Sequence, residues 1–280
     1  MLSWILALSC DDRPGIVAAV TGLLRDQGGN ITEAQQFNDA HSDRFFMRVA
    51  FDIADGPAFR NAFTSLAESF TMDWHIRDAD RPTRTLILVS KFDHCLVDLL
   101  YRTRMNELDI DIVGIISNHP RDAIRISNLH GAPFHHCPVT KETRADQEAA
   151  IRQIIDDSGA ELIVLARYMQ ILSDGLARDL AGRCINIHHS FLPGFKGARP
   201  YHQAHRRGVK MIGATAHFVT PDLDEGPIIA QGVEAISHAD TPDRLIAKGR
   251  SIEQRVLARA VKAYSEDRVF MNGQRTVVFD

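Results

Sequence analysis

The hydrophobic pattern of the chain changes once, near residue 80. Asp78-Ala79-Asp80-Arg81-Pro82-Thr83-Arg84 is charged, contains Pro82 and has no apolar period, so it reads as a linker. Before it, Ile5–Ser9 predicts a strand. Pro14 then opens a helix carrying Val17, Val20, Leu23 and Leu24, which ends at Gly28-Gly29-Asn30. Ile31–Asn38 and Phe45–Ile53 follow as strands. Pro57–Phe70 is a second amphipathic helix, and Met72–Arg77 a last short strand. After the linker, short apolar runs such as Leu86–Ser90, Ile110–Ser117, Glu161–Ala166 and Arg183–His188 alternate with helical patterns, one of them near Ala123–Leu129, and Asn272-Gly273 reads as a hairpin turn inside Val269–Phe279. That alternation predicts a mostly parallel sheet covered on both faces. The chain is therefore expected to be α/β throughout, with one domain over residues 1–80 and a larger one over 81–280.

Composition narrows the function classes. Among 280 residues, 45% are hydrophobic and 24% charged, which suits packed cores. A net charge of −4 gives no general attraction to nucleic acid. The longest apolar runs fall far short of the ~18–20 residues that span a bilayer. Met1–Ser9 is apolar, but no basic residue precedes it and Asp11-Asp12 follows at once, so a buried strand is expected there rather than a signal peptide. Four widely spaced cysteines form no CxxC pair and point to a reducing, cytoplasmic setting. Nine of the 13 histidines lie between His119 and His217. His135, His136, Cys137, His202 and His205 raise a zinc reading, but no ligand spacing supports it and no metal is expected.

The first 80 residues follow the order βαββαβ, a ferredoxin-like unit. With Asp11-Asp12-Arg13-Pro14-Gly15-Ile16-Val17 after the first strand and Gly28-Gly29-Asn30-Ile31 before the second, this unit resembles an ACT domain. Such modules bind a small-molecule effector, often an amino acid, or only pair subunits. The first role would use Gly28, Gly29 and Asn30. The second predicts a homo-oligomer, dimer or tetramer.

The chemistry concentrates between Arg183 and Pro227. Asn186 and His188 lie two apart at a strand end, so both project from one face while Ile187 projects from the other. A carboxamide beside an imidazole can grip a carbonyl oxygen and move a proton. His189 is expected to point away. A loop follows, Ser190 to Pro200, with two glycines and two prolines. Farther on, Asp222, Asp224 and Glu225 share one acidic loop. Any of them could orient His188 or activate water, and spacing alone does not choose.

Asn186-Ile-His-His-Ser-Phe-Leu-Pro193, His217-Phe-Val219 and Leu223-Asp-Glu-Gly-Pro-Ile228 resemble the signature of the formyltransferase superfamily that uses 10-formyltetrahydrofolate. The likeness covers about residues 85–265 and implies a Rossmann-like catalytic domain. Carried over by position, Asn186, His188 and Asp224 are the catalytic residues, with His217 beside them. Ala166-Arg-Tyr-Met-Gln-Ile-Leu172 resembles the segment lining the pterin pocket. Folate binding is thus implied for Met169, Gln170, Ile171 and Leu172, with backbone groups of Met169 and Leu172 pairing with the pterin. Val219 and Asp222 are expected on the opposite wall.

Branches of the superfamily differ in acceptor. Members that formylate glycinamide ribonucleotide carry a glycine-rich phosphate loop after the first strand, where this chain has Ser90-Lys-Phe-Asp-His-Cys95. The initiator-tRNA branch lacks an ACT-like module. An ACT-like module ahead of the catalytic unit resembles the branch whose acceptor is water. The implied reaction is hydrolysis of 10-formyltetrahydrofolate to tetrahydrofolate and formate, within one-carbon and purine metabolism and without a cofactor. The alternatives are a glycinamide ribonucleotide-type formyltransferase and a folate-binding regulator without turnover. Lys196, Arg199, Arg206, Arg207 and Lys210 are candidates to meet the folate glutamate tail.

Overall fold

A computed structural model describes residues 2–192 and 200–280. Within the Ser190–Pro200 loop, residues 193–199, with Lys196 and Arg199, lie outside the described residues. The chain divides into two compact units.

The first unit spans residues 1–82 together with 266–272 and 276–280. Strands β1 (Leu2–Asp11), β2 (Asn30–Asp39), β3 (Arg44–Ile53) and β4 (Asp73–Asp78) form an antiparallel sheet in the order β2-β3-β1-β4. Helices α1 (Ile16–Asp26) and α2 (Gly56–Phe70) join them, reproducing the βαββαβ order. Leu6, Leu8, Val20, Leu24, Phe51, Phe59 and Phe63 form the buried core. Gly28 has φ 75°, and Gly28 and Gly29 donate their N–H groups to Arg25 O and Leu24 O, so this turn is built to end α1. The opposite sheet face carries Ala7 and Phe46. Phe270, Val277 and Phe279 cover it from the C-terminal segment. The unit therefore gains residues that the sequence reading placed in the 81–280 domain. The apolar Val269–Phe279 hairpin pattern carried no sign of which sheet it would cover.

The second unit spans residues 83–265 with 273–275. Its strands are β5 (Thr83–Val89), β6 (Ile110–Ser117), β7 (Phe134–His136), β8 (Leu162–Leu165), β9 (Cys184–His188), β10 (Met211–Phe218) and β11 (Ile228–Ala235). They run in the order β11-β10-β9-β8-β5-β6-β7. The pairs from β9 to β7 are parallel, while β10 and β11 are antiparallel. Helices α3 (His94–Arg104), α4 (Arg144–Ser158), α5 (Asp174–Asp179), α6 (Pro200–Arg207) and α7 (Pro242–Ser265) complete it. The helix expected near Ala123–Leu129 is only a 3-10 turn, Arg121–Ala123, followed by irregular chain. Arg121 explains this locally: its guanidinium donates to the carbonyls of Ile124, Ile126 and Ser127, competing with helical bonding. The last hairpin pairs β12 (Val269–Asn272) with β13 (Arg275–Val278). No described helix is long and apolar enough to cross a membrane.

Candidate active site

Ligand sites of open α/β sheets form beyond the carboxyl ends of the parallel strands. Here the ends of β5, β8 and β9 converge there, and β10 contributes its own last residues. Strand pairing sets His217 opposite Asn186 and Thr215 opposite His188. A register shift between Ala216 and His217 marks a bulge, a common way to re-aim a side chain. Thr215 is fully buried. Its hydroxyl donates to Ser190 O at 3.0 Å and accepts from Leu192 N–H at 3.1 Å, holding the chain just beyond His188.

Asp224 reaches this pair because its loop folds back. Gly226 lies so close to β10 that a Cβ there would stand 1.8 Å from Phe218 O. Pro227 O accepts the Phe218 N–H at 2.9 Å. Asp224 itself holds φ 57°, a left-handed conformation that Asp tolerates better than most residues. Such local strain gathers at functional sites.

The hydrogen bonds order the four side chains. His217 Nδ1 lies 2.8 Å from Phe218 O and must donate to it. His217 Nε2 is then the lone-pair nitrogen and accepts from Asn186 Nδ2 at 3.2 Å. That fixes the Asn186 amide and leaves its second N–H without a partner among the described residues. His188 Nδ1 lies 3.2 Å from Asp224 Oδ1, and His217 Nε2 3.7 Å from the same oxygen. His188 Nε2 is buried and has no hydrogen-bond partner among the described residues. Burial alone would raise the Asp224 pKa. The hydrogen bond from His188 Nδ1 outweighs it and holds the carboxyl well below the usual carboxylate range.

These groups line a cavity of about 720 Å³, in the range of small-molecule sites. Met169, Gln170, Ile171, Leu172 and Val219 line it too, with Leu223 on the loop side. Met169, Ile171 and Leu223 are more than half exposed, an apolar rim suited to a flat aromatic ligand. Ser90 Oγ accepts the Met169 N–H at 2.9 Å, which fixes the backbone at that residue. Arg144 donates to Ile171 O at 2.6 Å, pinning the segment farther along. Asp222 does not line the cavity. It is exposed, and its carbonyl accepts from Thr220 and Glu225, which shapes the loop. His189, expected to point away, lines the cavity with its ring centroid 5.1 Å from that of His188. Burial, then the charges of Arg167 and His188, lower its pKa to about 4, so it is neutral at pH 7. Gly28, Gly29 and Asn30 belong to the first unit.

A second buried carboxylate borders the same cavity. Glu253 of α7 accepts Tyr201 O–H at 2.6 Å and His94 Nε2–H at 2.8 Å, with Arg167 Nε at 3.4 Å. Sequence reasoning passed over this residue. The signal was present, because Glu253 falls within the buried stripe of Leu245, Gly249, Ile252, Val256 and Leu257. His135, His136, Cys137, His202 and His205 form no metal-holding group among the described residues. The one group found is His94, Cys95 and Glu253. There Arg167 already lies against the carboxylate and burial pushes the Cys95 thiol pKa up, which opposes binding of a cation.

The chain is similar to known proteins along nearly its whole length. The formyl transferase family model matches residues 83–261, and the ACT domain model matches residues 4–68. A formyltetrahydrofolate deformylase of Corynebacterium sp. (strain P-1) is 50% identical over 278 residues, 98% of this chain and 97% of that protein. The crystal structure of formyltetrahydrofolate deformylase from Burkholderia mallei ATCC 23344 matches with TM-score 0.96 and 54% identity, covering 100% of both chains. Glycinamide ribonucleotide transformylase 1 from Symbiobacterium toebii is more distant, with TM-score 0.64 and 28% identity over 71% of this chain and 95% of its own. The chain belongs to the formyltetrahydrofolate deformylase family, an ACT domain followed by a formyl transferase domain.

Proposed function

We infer that this chain hydrolyses 10-formyltetrahydrofolate to tetrahydrofolate and formate. The observation that carries the mechanism is the pairing of Asp224 with His188 Nδ1, which leaves the buried Nε2 without a partner. A carboxylate with so low a pKa is a weak base near neutral pH. Asp224 therefore orients the imidazole and balances its positive charge, while His188 Nε2 takes the proton from water. The water oxygen bonds to the formyl carbon, and the free N–H of Asn186 donates to the oxyanion that forms. The C–N10 bond then breaks, and His188 returns the proton to N10. Formic acid leaves and ionises to formate.

The apolar rim of Met169, Ile171 and Leu223 supports folate binding at this cavity. The chemistry draws only on these side chains and needs no metal or cofactor, so a chelator should leave turnover unchanged. The four buried free thiols suit a reducing compartment such as the cytoplasm. The ACT unit supports effector binding or assembly as a dimer or tetramer, with β2 as an edge strand available for pairing. Light scattering that shows a monomer would refute the assembly role.

The deciding experiment is a single turnover with 10-formyltetrahydrofolate and no acceptor. Stoichiometric formate is expected. Folate binding without formate would instead make the chain a regulator.

A further inference from the structure

We propose that Tyr201, held on Glu253, restricts this active site to water as the acceptor, a role that rests on the hydrolytic reading above. Three observations place Tyr201 there. Its hydroxyl donates to a carboxylate whose side chain is 2% exposed. Its ring packs where α7 has no side chain: a Cβ on Gly249 would stand 2.1 Å from the Tyr201 Cζ. Its ring centroid is 6.4 Å from that of His189, which is 5.1 Å from that of His188. The rings thus run from the catalytic imidazole along one cavity wall.

Any nucleophile that gives its proton to His188 Nε2 carries its remaining atoms past that wall. Water carries none. A substituted amine does, and it meets the rings of His189 and Tyr201. Both Glu253 oxygens are already engaged, one by Tyr201 and the other by His94 beside Arg167. The carboxylate best placed to hold an acceptor's hydroxyl or N–H groups is therefore occupied. Charge does not explain the exclusion. An adjoining 300 Å³ pocket, lined by Lys91, Arg125 and Arg250 as well as by Asp93, carries more positive than negative charge and would attract an anionic acceptor. Shape and saturation of Glu253 do the excluding.

With an amine, its nitrogen would bond to the formyl carbon, C–N10 would break, and the amine proton would pass through His188 to N10. The test measures the ratio of formylated amine to formate, with glycinamide and with glycinamide ribonucleotide as probes. The wild type should give formate alone at an unchanged rate. Tyr201→Ala should give formylated amine at about tenfold or more above the wild-type background, on the scale by which pocket shape discriminates substrates. Tyr201→Phe keeps the ring and loses only the bond to Glu253, so it should raise the ratio by less, and it serves should Tyr201→Ala not fold. An unchanged ratio in a folded variant overturns the proposal, as does formylated amine from the wild type. Lost packing alone would slow turnover without moving this ratio. Wild type that releases no formate without acceptor would overturn the hydrolytic reading itself.

Discussion

Asp224 and Glu253 are two carboxylates on one cavity, and they differ in what remains unpaired around them. Asp224 stands on a loop with left-handed backbone and meets two imidazoles among the described residues. Its partner His188 keeps a buried Nε2 without a hydrogen-bond partner among the described residues. Glu253 stands on a 24-residue helix and is closed in by a phenol, an imidazole and a guanidinium. Both carboxyls have lowered pKa values against the opposing effect of burial. A shifted pKa therefore does not tell the two carboxylates apart. The unpaired nitrogen of His188 does.

Asp224→Asn should break the first half of this comparison most severely. Asn also tolerates the left-handed conformation, so the change removes charge and the correct His188 tautomer, and formate release should fall ~10³–10⁴-fold. Folate titration and the melting temperature should barely move. Glu253→Ala should do the reverse. Leaving the mostly buried Arg167 without its counter-ion should destabilise the protein by about 3–5 kcal/mol, read from denaturant unfolding. Asn186→Ala removes an oxyanion donor and should lower kcat ~10²–10³-fold with little change in folate affinity. His217→Phe leaves Asn186 in place but unanchored, and about a 10-fold loss in kcat is expected from misorientation. A larger effect on KM than on kcat would instead assign His217 to substrate binding.

The smallest effect is on pH stability. His189 has its folded pKa lowered from 6.5 to about 4. The unfolded chain therefore binds the proton first as pH falls. The neutral, buried ring contributes stability above about pH 6.5 that is lost between about 6.5 and 4. Asp224 is depressed from 3.8, so its contribution is lost only below that carboxylate range. His189→Asn should flatten the loss of melting temperature from pH 7 to 4.5 relative to wild type. Parallel curves would show that His189 is not protected from protonation.

Local pattern carried much of this molecule. The linker, the βαββαβ order and the strand ending in Asn186-Ile187-His188 follow from periods of 2 and 3.6 and from glycine and proline turns. The acidic loop was harder. Spacing left Asp222, Asp224 and Glu225 open, and only the fold-back at Gly226 and the strained φ bring Asp224 to His188. His189 eluded the alternation rule because it sits past the end of β9, where the chain no longer alternates across a sheet.

The sequence by itself determined which elements form and which pair of side chains the strand β9 presents. Those properties depend on neighbours within a few residues. The tertiary structure decided which carboxylate meets His188 and which is closed in by Tyr201, His94 and Arg167, where Tyr201 stands, and which sheet the Val269–Phe279 hairpin covers. Each of those depends on contacts between residues dozens to hundreds of positions apart, such as Tyr201 with Glu253 or Phe46 with Phe270. No periodic pattern encodes such pairs, because what selects them is packing and the pairing of buried polar groups.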